Sequence, residues 1–428
     1  MNRGILMEEN KIIKQRAVLV GMFQGLKNEL NIEDSMNELA ELTLAAEAEV
    51  AQIIIQNKAK IEAATYIGSG KVEEVRLAVE ETDANIVIFN DELSGAQMRN
   101  LEGLIGTTVV DRTALILDIF ALRAQTKIAK LQVELAQLKY RLPRLIGMNG
   151  NLSKMGGGIG ARGPGEQKLE LDRRRIKERI DEIRGQIKDA DKNRVVQRHL
   201  REKKEMPVVA LVGYTNSGKS TLMNCLISMS TDGDVERHVF EKDMLFATLD
   251  TYNRRIVLED KKEFILTDTV GFVSKLPHTL VNAFKATLEE TLNADLLLHI
   301  VDASNESYAM QMEVTMQVLD ELKASHIPMI TVYNKIDKGH HVTTPVDASV
   351  FISAKTGENV DALLQMIKQN IYTEHQIGKF LIPYTDGRTA SYLCDTYQVS
   401  QMDYLEEGTY IVAEVSTADY NRYSDYLV

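Results

Sequence analysis

The sequence predicts an α/β protein in four parts: an N-terminal parallel α/β subdomain, a long helical hairpin, a second α/β domain built on a P-loop, and a small C-terminal α+β tail domain. Three observations carry this reading. Short β-branched runs alternate with amphipathic helical segments over 1–113 and again over 205–372, the pattern of parallel strands joined by helical crossovers. Between these regions, 114–204 turns helical and basic. A phosphate-binding glycine motif closes the first strand of the second region. At 428 residues the chain is long enough for several domains, each burying its own core.

Over 1–113 the strand candidates are RAVLVGMF, AQIIIQ, NIVIFN and TTVVD. SMNELAELTLAAEAEV, GKVEEVRLAVEET and SGAQMRNLEGLIG carry helical spacing between them. YIGSGK, ending at Lys71, sits at a strand–helix junction and looks like half a P-loop. It is read as a helix N-terminus with a flexible turn rather than as a second nucleotide site.

From 114 the periodicity is helical. Leu131, Leu135, Leu138 and Leu142 mark one face at spacings of 4, 3 and 4. Pro143 is expected to end that helix, because the residue before a proline is pushed out of the α region. Leu169, Ile176, Ile180, Ile183 and Ile187 form a second stripe, so the two helices are expected to bury their stripes on each other as a hairpin. The 22 residues between them, 144–165, hold eight glycines, the bases Arg144, Lys154 and Arg162, and no acid. A structureless connection of that length is usually functional or disordered. Its core, GGGIGARGPG, includes Gly157 and Gly158 and lacks the Lys-Ser/Thr pair that closes a P-loop.

Net charge of −12 argues against a polyanionic partner until its distribution is read. Residues 121–205 carry 22 Lys/Arg against 11 Asp/Glu, a net of +11, which leaves −23 for the remainder. Within 121–165 eight bases face Glu134 alone. A basic segment in an acidic protein is the footprint of a polyanion-binding element; a solvated helical face is the plainer alternative. Two cysteines, Cys225 and Cys394, supply no disulfide framework and fit a reducing compartment. No run approaches the roughly 18 apolar residues of a spanning helix. The opening MNRGILMEENK carries acids where a secretory signal needs an apolar stretch. The expectation is a cytoplasmic monomer.

The second α/β region offers the strands PVVALVG, RRIVLE, EFILTD, LLLHIVD, PMITVYN and ASVFISA. GYTNSGKS, comprising Gly213, Tyr214, Thr215, Asn216, Ser217, Gly218, Lys219 and Ser220, fits G-x-x-x-x-G-K-[ST], follows a strand and opens a helix at Thr221. Backbone N–H groups at such a helix start face phosphates. Lys219 is placed to neutralise β/γ oxygens and Ser220 to ligand Mg2+. Three further motifs lie downstream. DTVG supplies Asp268 for Mg2+ and the Gly271 amide for a γ-phosphate. NKID supplies Asn334, Lys335 and Asp337, whose carboxylate can accept from guanine N1–H and the exocyclic amine together. Adenine would leave that carboxylate unpaired. SAK, or Ser353, Ala354 and Lys355, brings a backbone amide toward guanine O6. Four motifs in order, each at a strand end, define a P-loop GTPase domain binding GTP and GDP. Thr248, in FATLD, is the candidate switch threonine, touching Mg2+ and γ-phosphate in the GTP state only. Lys219, Thr248 and Gly271 are the residues expected to act on the reaction. Phe272 stands where Ras-like enzymes carry a water-orienting glutamine, so intrinsic hydrolysis is expected to be slow. Asn216 resembles the P-loop asparagine of potassium-activated GTPases, which adds K+ to Mg2+ as an expected cofactor. His278, in KLPHTL, is read as a structural or RNA-contacting residue rather than a base.

Together GGGIGARGPGEQKLELDRRRIKERI, GYTNSGKSTLMN, LFATLD and DTVGFVSKLPHTLVNAFKATLEET resemble the HflX family of bacterial ribosome-associated GTPases, over roughly residues 12–372. The resemblance implies binding to the 50S ribosomal subunit, with the hairpin tip directed toward the peptidyl-transferase region of 23S rRNA. It also implies splitting or rescue of stalled 70S ribosomes under stress, with relief of antibiotic-blocked ribosomes in some members. The glycine loop is then an rRNA-facing element. Its glycines permit close backbone approach, Arg144, Lys154 and Arg162 meet phosphates, and Arg173 and Arg174 on the following helix add to them. One departure stands out: LDTYNRR occupies the place where the family often has LDPTTR. Two other readings use the same residues, a GTPase factor in ribosome assembly and a GTP-dependent protein adaptor working through the hairpin.

Overall fold

The computed structural model describes residues 15–24, 29–148, 164–202, 206–231, 246, 252–275, 293–373 and 375–428. The chain forms two compact units, 1–194 with 243–249 and 274–284, and 195–242 with 250–273 and 285–428.

The first unit holds a four-stranded parallel sheet of β1 (Arg16–Phe23), β2 (Glu49–Asn57), β3 (Ile86–Phe89) and β4 (Thr108–Asp111), in the order β2-β1-β3-β4. α1 (Glu29–Ala45), α2 (Ser69–Thr82), α3 (Gly95–Ile105) and α4 (Arg112–Arg123) cover it. Alternate strand residues face opposite sides, as the two-residue period of a strand requires. Val18 and Val20 join Val87, Phe89, Val75 and Leu101 in one core. Gly21 points the other way, where an added Cβ would lie 2.4 Å from Met36 Sδ, so α1 needs the missing side chain there. α1 ends at Ala45, earlier than its apolar pattern suggests, and Glu47 turns the chain into β2 through a left-handed conformation at φ 64. In YIGSGK the Gly68 amide donates to Gln56 Oε1 at 3.0 Å and Lys71 pairs with Glu74 at 2.7 Å.

α4 differs from the expected partition. Its helical pattern reads as the start of the hairpin, but Asp111 at the end of β4 caps it, accepting from the Ala114 amide at 2.9 Å. Leu115, Ile116, Ile119 and Phe120 are then buried against the N-terminal layer. The hairpin proper is α5 (Lys127–Met148) and α6 (Pro164–Glu202). Leu131, Leu135, Ile180 and Ile183 form its seam, flanked by Leu138, Leu142, Ile176 and Ile187, as the two stripes require. The Leu169 side chain lies outside the description. Glu134 and Arg179 clamp the two helices with paired bonds of 2.7 and 2.9 Å.

Pro143 does not end α5. The helix runs five residues further. Proline removes one intrahelical donor and crowds the preceding turn, and the helix continues past it with Arg144 tied down by bonds to the Tyr140 carbonyl at 3.1 Å, the Leu93 carbonyl at 2.9 Å and Asp111 at 3.3 Å. α6 then opens on Pro164, a position where the missing N–H is no loss. The undescribed segment between the helices is thus 149–163.

In the second unit a six-stranded sheet runs β10-β9-β8-β5-β7-β6, parallel except for the antiparallel β6–β7 edge. Its strands are β5 (Val208–Gly213), β6 (Tyr252–Val257), β7 (Glu263–Asp268), β8 (Leu296–Asp302), β9 (Met329–Asn334) and β10 (Ser349–Phe351). α7 (Lys219–Met229), α8 (Tyr308–Glu321) and α9 (Val360–Ile371) pack on it, with Leu222, Leu226, Leu363 and Ile367 meeting Leu211, Leu298 and Ile300 in the core. A separate three-stranded antiparallel sheet follows, β11 (His375–Ile382), β13 (Gly408–Ser416) and β12 (Val399–Leu405) in that order, with α10 (Gly387–Thr396) and α11 (Thr417–Arg422). Three of its tyrosines brace it: Tyr392 and Tyr397 donate to the buried Asp419 at 2.9 and 2.7 Å, and Tyr426 donates to Asp386 at 2.9 Å.

Candidate functional site

The site is assembled at the carboxyl ends of β5, β7, β8 and β9, where open parallel sheets place their ligands. β5 ends at Gly213, and the turn to α7 passes through Asn216 at φ 59 and Gly218 at φ 94. Gly213 has no room for a side chain, since an added Cβ would stand 2.3 Å from the Ile300 carbonyl oxygen. Lys219 and Ser220 fall on the first turn of α7. Lys219 is 7% exposed, and its ammonium donates to the carbonyls of Gly213 at 3.1 Å and Tyr214 at 2.7 Å. Burial pushes it down to about 8, and Asp268 opposes that shift. Burial also pushes the Asp268 carboxyl up, against Lys219 and the Ser220 bond.

The β7 end meets the P-loop directly. Phe272 accepts from the Thr215 amide at 2.7 Å and donates to the Gly213 carbonyl at 3.1 Å. Its ring is buried. Its main chain seams DTVGF to the P-loop. Gly271 lies so near that an added Cβ would be 2.8 Å from Thr215 Cα and 2.9 Å from Lys219 Nζ. Ser220 Oγ donates to Asp268 Oδ2 at 2.8 Å, while Asp268 Oδ1 is buried with no hydrogen-bond partner among the described residues. A hard cation wants oxygen ligands of this kind, so the pair fits Mg2+.

The base-reading motifs are brought to the same end of the sheet. Asn334 donates from Nδ2 to the Ser217 carbonyl at 2.9 Å and accepts from the Ala354 amide at 2.9 Å. The Ala354 amide is therefore committed to Asn334. Ser353 Oγ donates to Asp337 Oδ1 at 2.7 Å, fixing an otherwise exposed carboxylate. Lys335 donates to the Asn216 carbonyl at 2.6 Å and pairs with Asp302 at 2.8 Å. Lys355 is exposed, and Thr221 lies in the first turn of α7.

Sequence reasoning missed two residues of β8. Asp302 reads as one acid at a strand end, and only the fold brings it to Lys335. His299 reads as part of a strand; it is 1% exposed and its Nδ1 has no hydrogen-bond partner among the described residues. Burial, followed by the Lys219 charge, pushes its imidazole down to about 4. Unfolded, His299 binds its proton below the ordinary value of 6.5; folded, only below about 4. The unfolded state binds more protons in that window, so stability falls as pH drops through it, by roughly 3 kcal/mol in full. Urea unfolding followed by circular dichroism at pH 7 and about pH 4.5 is expected to show a smaller acid loss in His299→Gln than in the unsubstituted protein. An equal loss in both would exclude His299 as the source.

On the hairpin, Arg144 departs from the phosphate-contacting role expected of it. It is 12% exposed, stacks 3.6 Å over the Tyr140 ring, and donates to Glu92 at 2.7 Å, the Leu93 carbonyl at 2.9 Å and Asp111 at 3.3 Å. The buried Asp111 carboxylate holds it in the first unit, so it has no free guanidinium for a phosphate. Arg173 and Arg174 are exposed on α6, and Arg174 pairs with Glu178 at 2.8 Å. Lys154, Gly157, Gly158, Arg162, Thr248 and His278 lie outside the described residues.

A P-loop opening α7, a carboxylate at the end of β7 and an Asn-Lys-x-Asp turn bonded back to the P-loop define a P-loop GTPase. Family models match along the chain: "GTP-binding GTPase N-terminal" over 33–121, "GTP-binding GTPase Middle Region" over 123–201 and "50S ribosome-binding GTPase" over 208–335. The GTPase HflX of Caldanaerobacter subterraneus subsp. tengcongensis is 47% identical over 99% of this chain and 96% of its own. Those of Lacrimispora saccharolytica and Alkalihalophilus pseudofirmus are 44% and 46% identical, covering 95% and 83% of this chain and 95% and 84% of their own. The chain belongs to the HflX family of GTPases.

Proposed function

We propose that this chain is a GTP-hydrolysing factor that binds the 50S subunit and its 23S rRNA and splits or rescues stalled 70S ribosomes under stress, antibiotic-blocked ribosomes included. The observation that carries the reading is the pairing of a complete nucleotide site with a helical hairpin whose α6 exposes Arg173, Arg174, Arg175 and Lys177 within one and a half turns. Such a cluster meets RNA phosphates. Lys154 and Arg162, which lie between α5 and α6 in the sequence, are proposed to add to it; Arg144 is not. Ser220 and Asp268, with Thr248, hold Mg2+, and Asn216 takes part in holding K+. Mg2+ supplies charge neutralisation of the phosphates when bound. Lys219 sets a further positive charge against the β/γ oxygens, and the Gly271 amide senses the γ-phosphate. GTP favours tight 50S binding and hydrolysis permits release. Among the described residues no helix is long and apolar enough to cross a membrane, and the proposed setting is the cytoplasm.

Because Phe272 supplies no water-orienting group, basal hydrolysis is expected to be slow and 50S subunits to raise it many-fold. The check is GTP turnover by the purified chain with and without 50S, in KCl and NaCl at equal ionic strength. No stimulation would remove the ribosome as activator and leave an assembly intermediate or a protein partner for the hairpin. Equal rates in the two salts would remove K+.

A further inference from the structure

β8 carries none of the four nucleotide motifs, yet it runs between β5, which ends in the P-loop, and β9, which ends in Asn334. At its carboxyl end both oxygens of Asp302 are committed. Oδ1 accepts from the Ser304 amide at 3.0 Å and the Ser304 hydroxyl at 2.6 Å, closing a turn that fixes the carboxylate. Oδ2 accepts from Lys335 Nζ at 2.8 Å, with the two side chains 15% and 17% exposed. Lys335 itself is left-handed at φ 66, a conformation that non-glycine residues hold only where their surroundings enforce it. Its ammonium also donates to the Asn216 carbonyl at 2.6 Å, and its stem passes 4.0 Å from the Cβ position of Gly218.

We propose that Asp302 is a positioning residue for guanine-nucleotide binding: it locks Lys335 against the P-loop, so that the base-reading turn and the phosphate loop form one preorganised surface. This deepens the guanine reading of Asn334, Lys335 and Asp337 given above and rests on it. The physical argument concerns when ordering is imposed. A lysine stem has several rotors to freeze and a strained backbone to hold. With Asp302 in place these are set before nucleotide arrives; without it the nucleotide itself must order them, which weakens binding and speeds release. Asp302 sits beside the base-reading turn, away from the Ser220–Asp268 pair, so binding is affected and chemistry at saturation is not.

The test is a double-mutant cycle on the full chain, reading dissociation of fluorescent mant-GDP and mant-GTP together with steady-state GTP hydrolysis. Asp302→Asn is expected to release both nucleotides about ten-fold faster and to raise KM for GTP similarly, leaving kcat within about two-fold. In a Lys335→Met background the same substitution is expected to add almost nothing. Should Asp302→Asn fail to fold, Ser304→Ala, which keeps the carboxylate and removes its orienting hydroxyl, carries the test with a smaller increase that also vanishes with Lys335→Met. An unchanged release rate overturns the proposal, as does an increase that survives in full without Lys335, which would mark a general brace of the strand end. Competition on the unsubstituted protein separates the two layers. If ADP displaces mant-GDP as well as GDP does, the guanine reading fails and this inference with it. If GDP is preferred and Asp302→Asn is silent, this inference alone falls.

Discussion

Gly218→Ala is expected to lower GDP and GTP affinity together by about 10²–10⁴-fold, from strain and lost buried hydrogen bonds. Gly218 sits at φ 94, and a Cβ there would stand 2.2 Å from Asn334 Nδ2. Any side chain thus carries the backbone penalty of a left-handed residue and also displaces the asparagine amide. That amide is the tie to the Ser217 carbonyl, and the other end of the same group accepts from Ala354. One methyl group therefore loosens the P-loop, the Asn-Lys-x-Asp turn and the Ser353–Lys355 loop together. Calorimetric titration with GDP is the measurement. Affinity within about three-fold of the unsubstituted protein would mean that Asn334 swings aside at little cost. Gly271 offers a useful contrast, because its crowding is against Thr215 and Lys219 on the phosphate side.

The nucleotide site was legible because its chemistry is local. Glycines that must be left-handed or close-packed, a lysine at a helix start and an Asn-Lys-x-Asp turn each lie within a few residues of chain, so spacing alone exposes them. The hairpin was legible for a related reason: the stripes ending at Leu142 and Ile187 are long enough for a 3.6-residue period to speak for itself. What was missed depends on distant chain. β12, VSQMDYL, has a weak apolar pattern because it is an exposed edge strand, and only its pairing with β13 defines it. Pro143 reads as a helix end because what anchors the turn beyond it, Arg144 bonded to Leu93 and Asp111, is a side-chain event involving distant chain. Arg144 reads as a free base because Asp111, which holds it, is 33 residues away. Asp302 and Lys335 are likewise 33 residues apart and meet only because β8 and β9 are neighbours.

Arg112 is the extreme case of such dependence, and its replacement is expected to be the most damaging single change in the first unit. It looks like an ordinary first-turn arginine in DRTALIL, yet it is 2% exposed. Its guanidinium donates to Asn90 Oδ1 at 2.8 Å and to Ser274 Oγ at 3.0 Å, and it pairs with Glu38, to which the Ser274 hydroxyl also donates. Arg112→Met keeps the stem but removes the guanidinium that pairs with the largely buried Glu38 carboxylate. Breaking a buried pair from one side costs about 3–5 kcal/mol, far more than the net worth of the pair, because the remaining charge is uncompensated. Glu38→Leu with Arg112→Met removes both charges, so the double variant is expected to regain most of the loss. A chain of two compact units need not unfold in one step, so the informative readout is hydrogen exchange at β3 and β4 amides, which reports local stability. Protection lowered by less than about 1 kcal/mol in Arg112→Met, or a double variant less protected than the single, would mean that packing of the stem rather than the buried charge holds this corner.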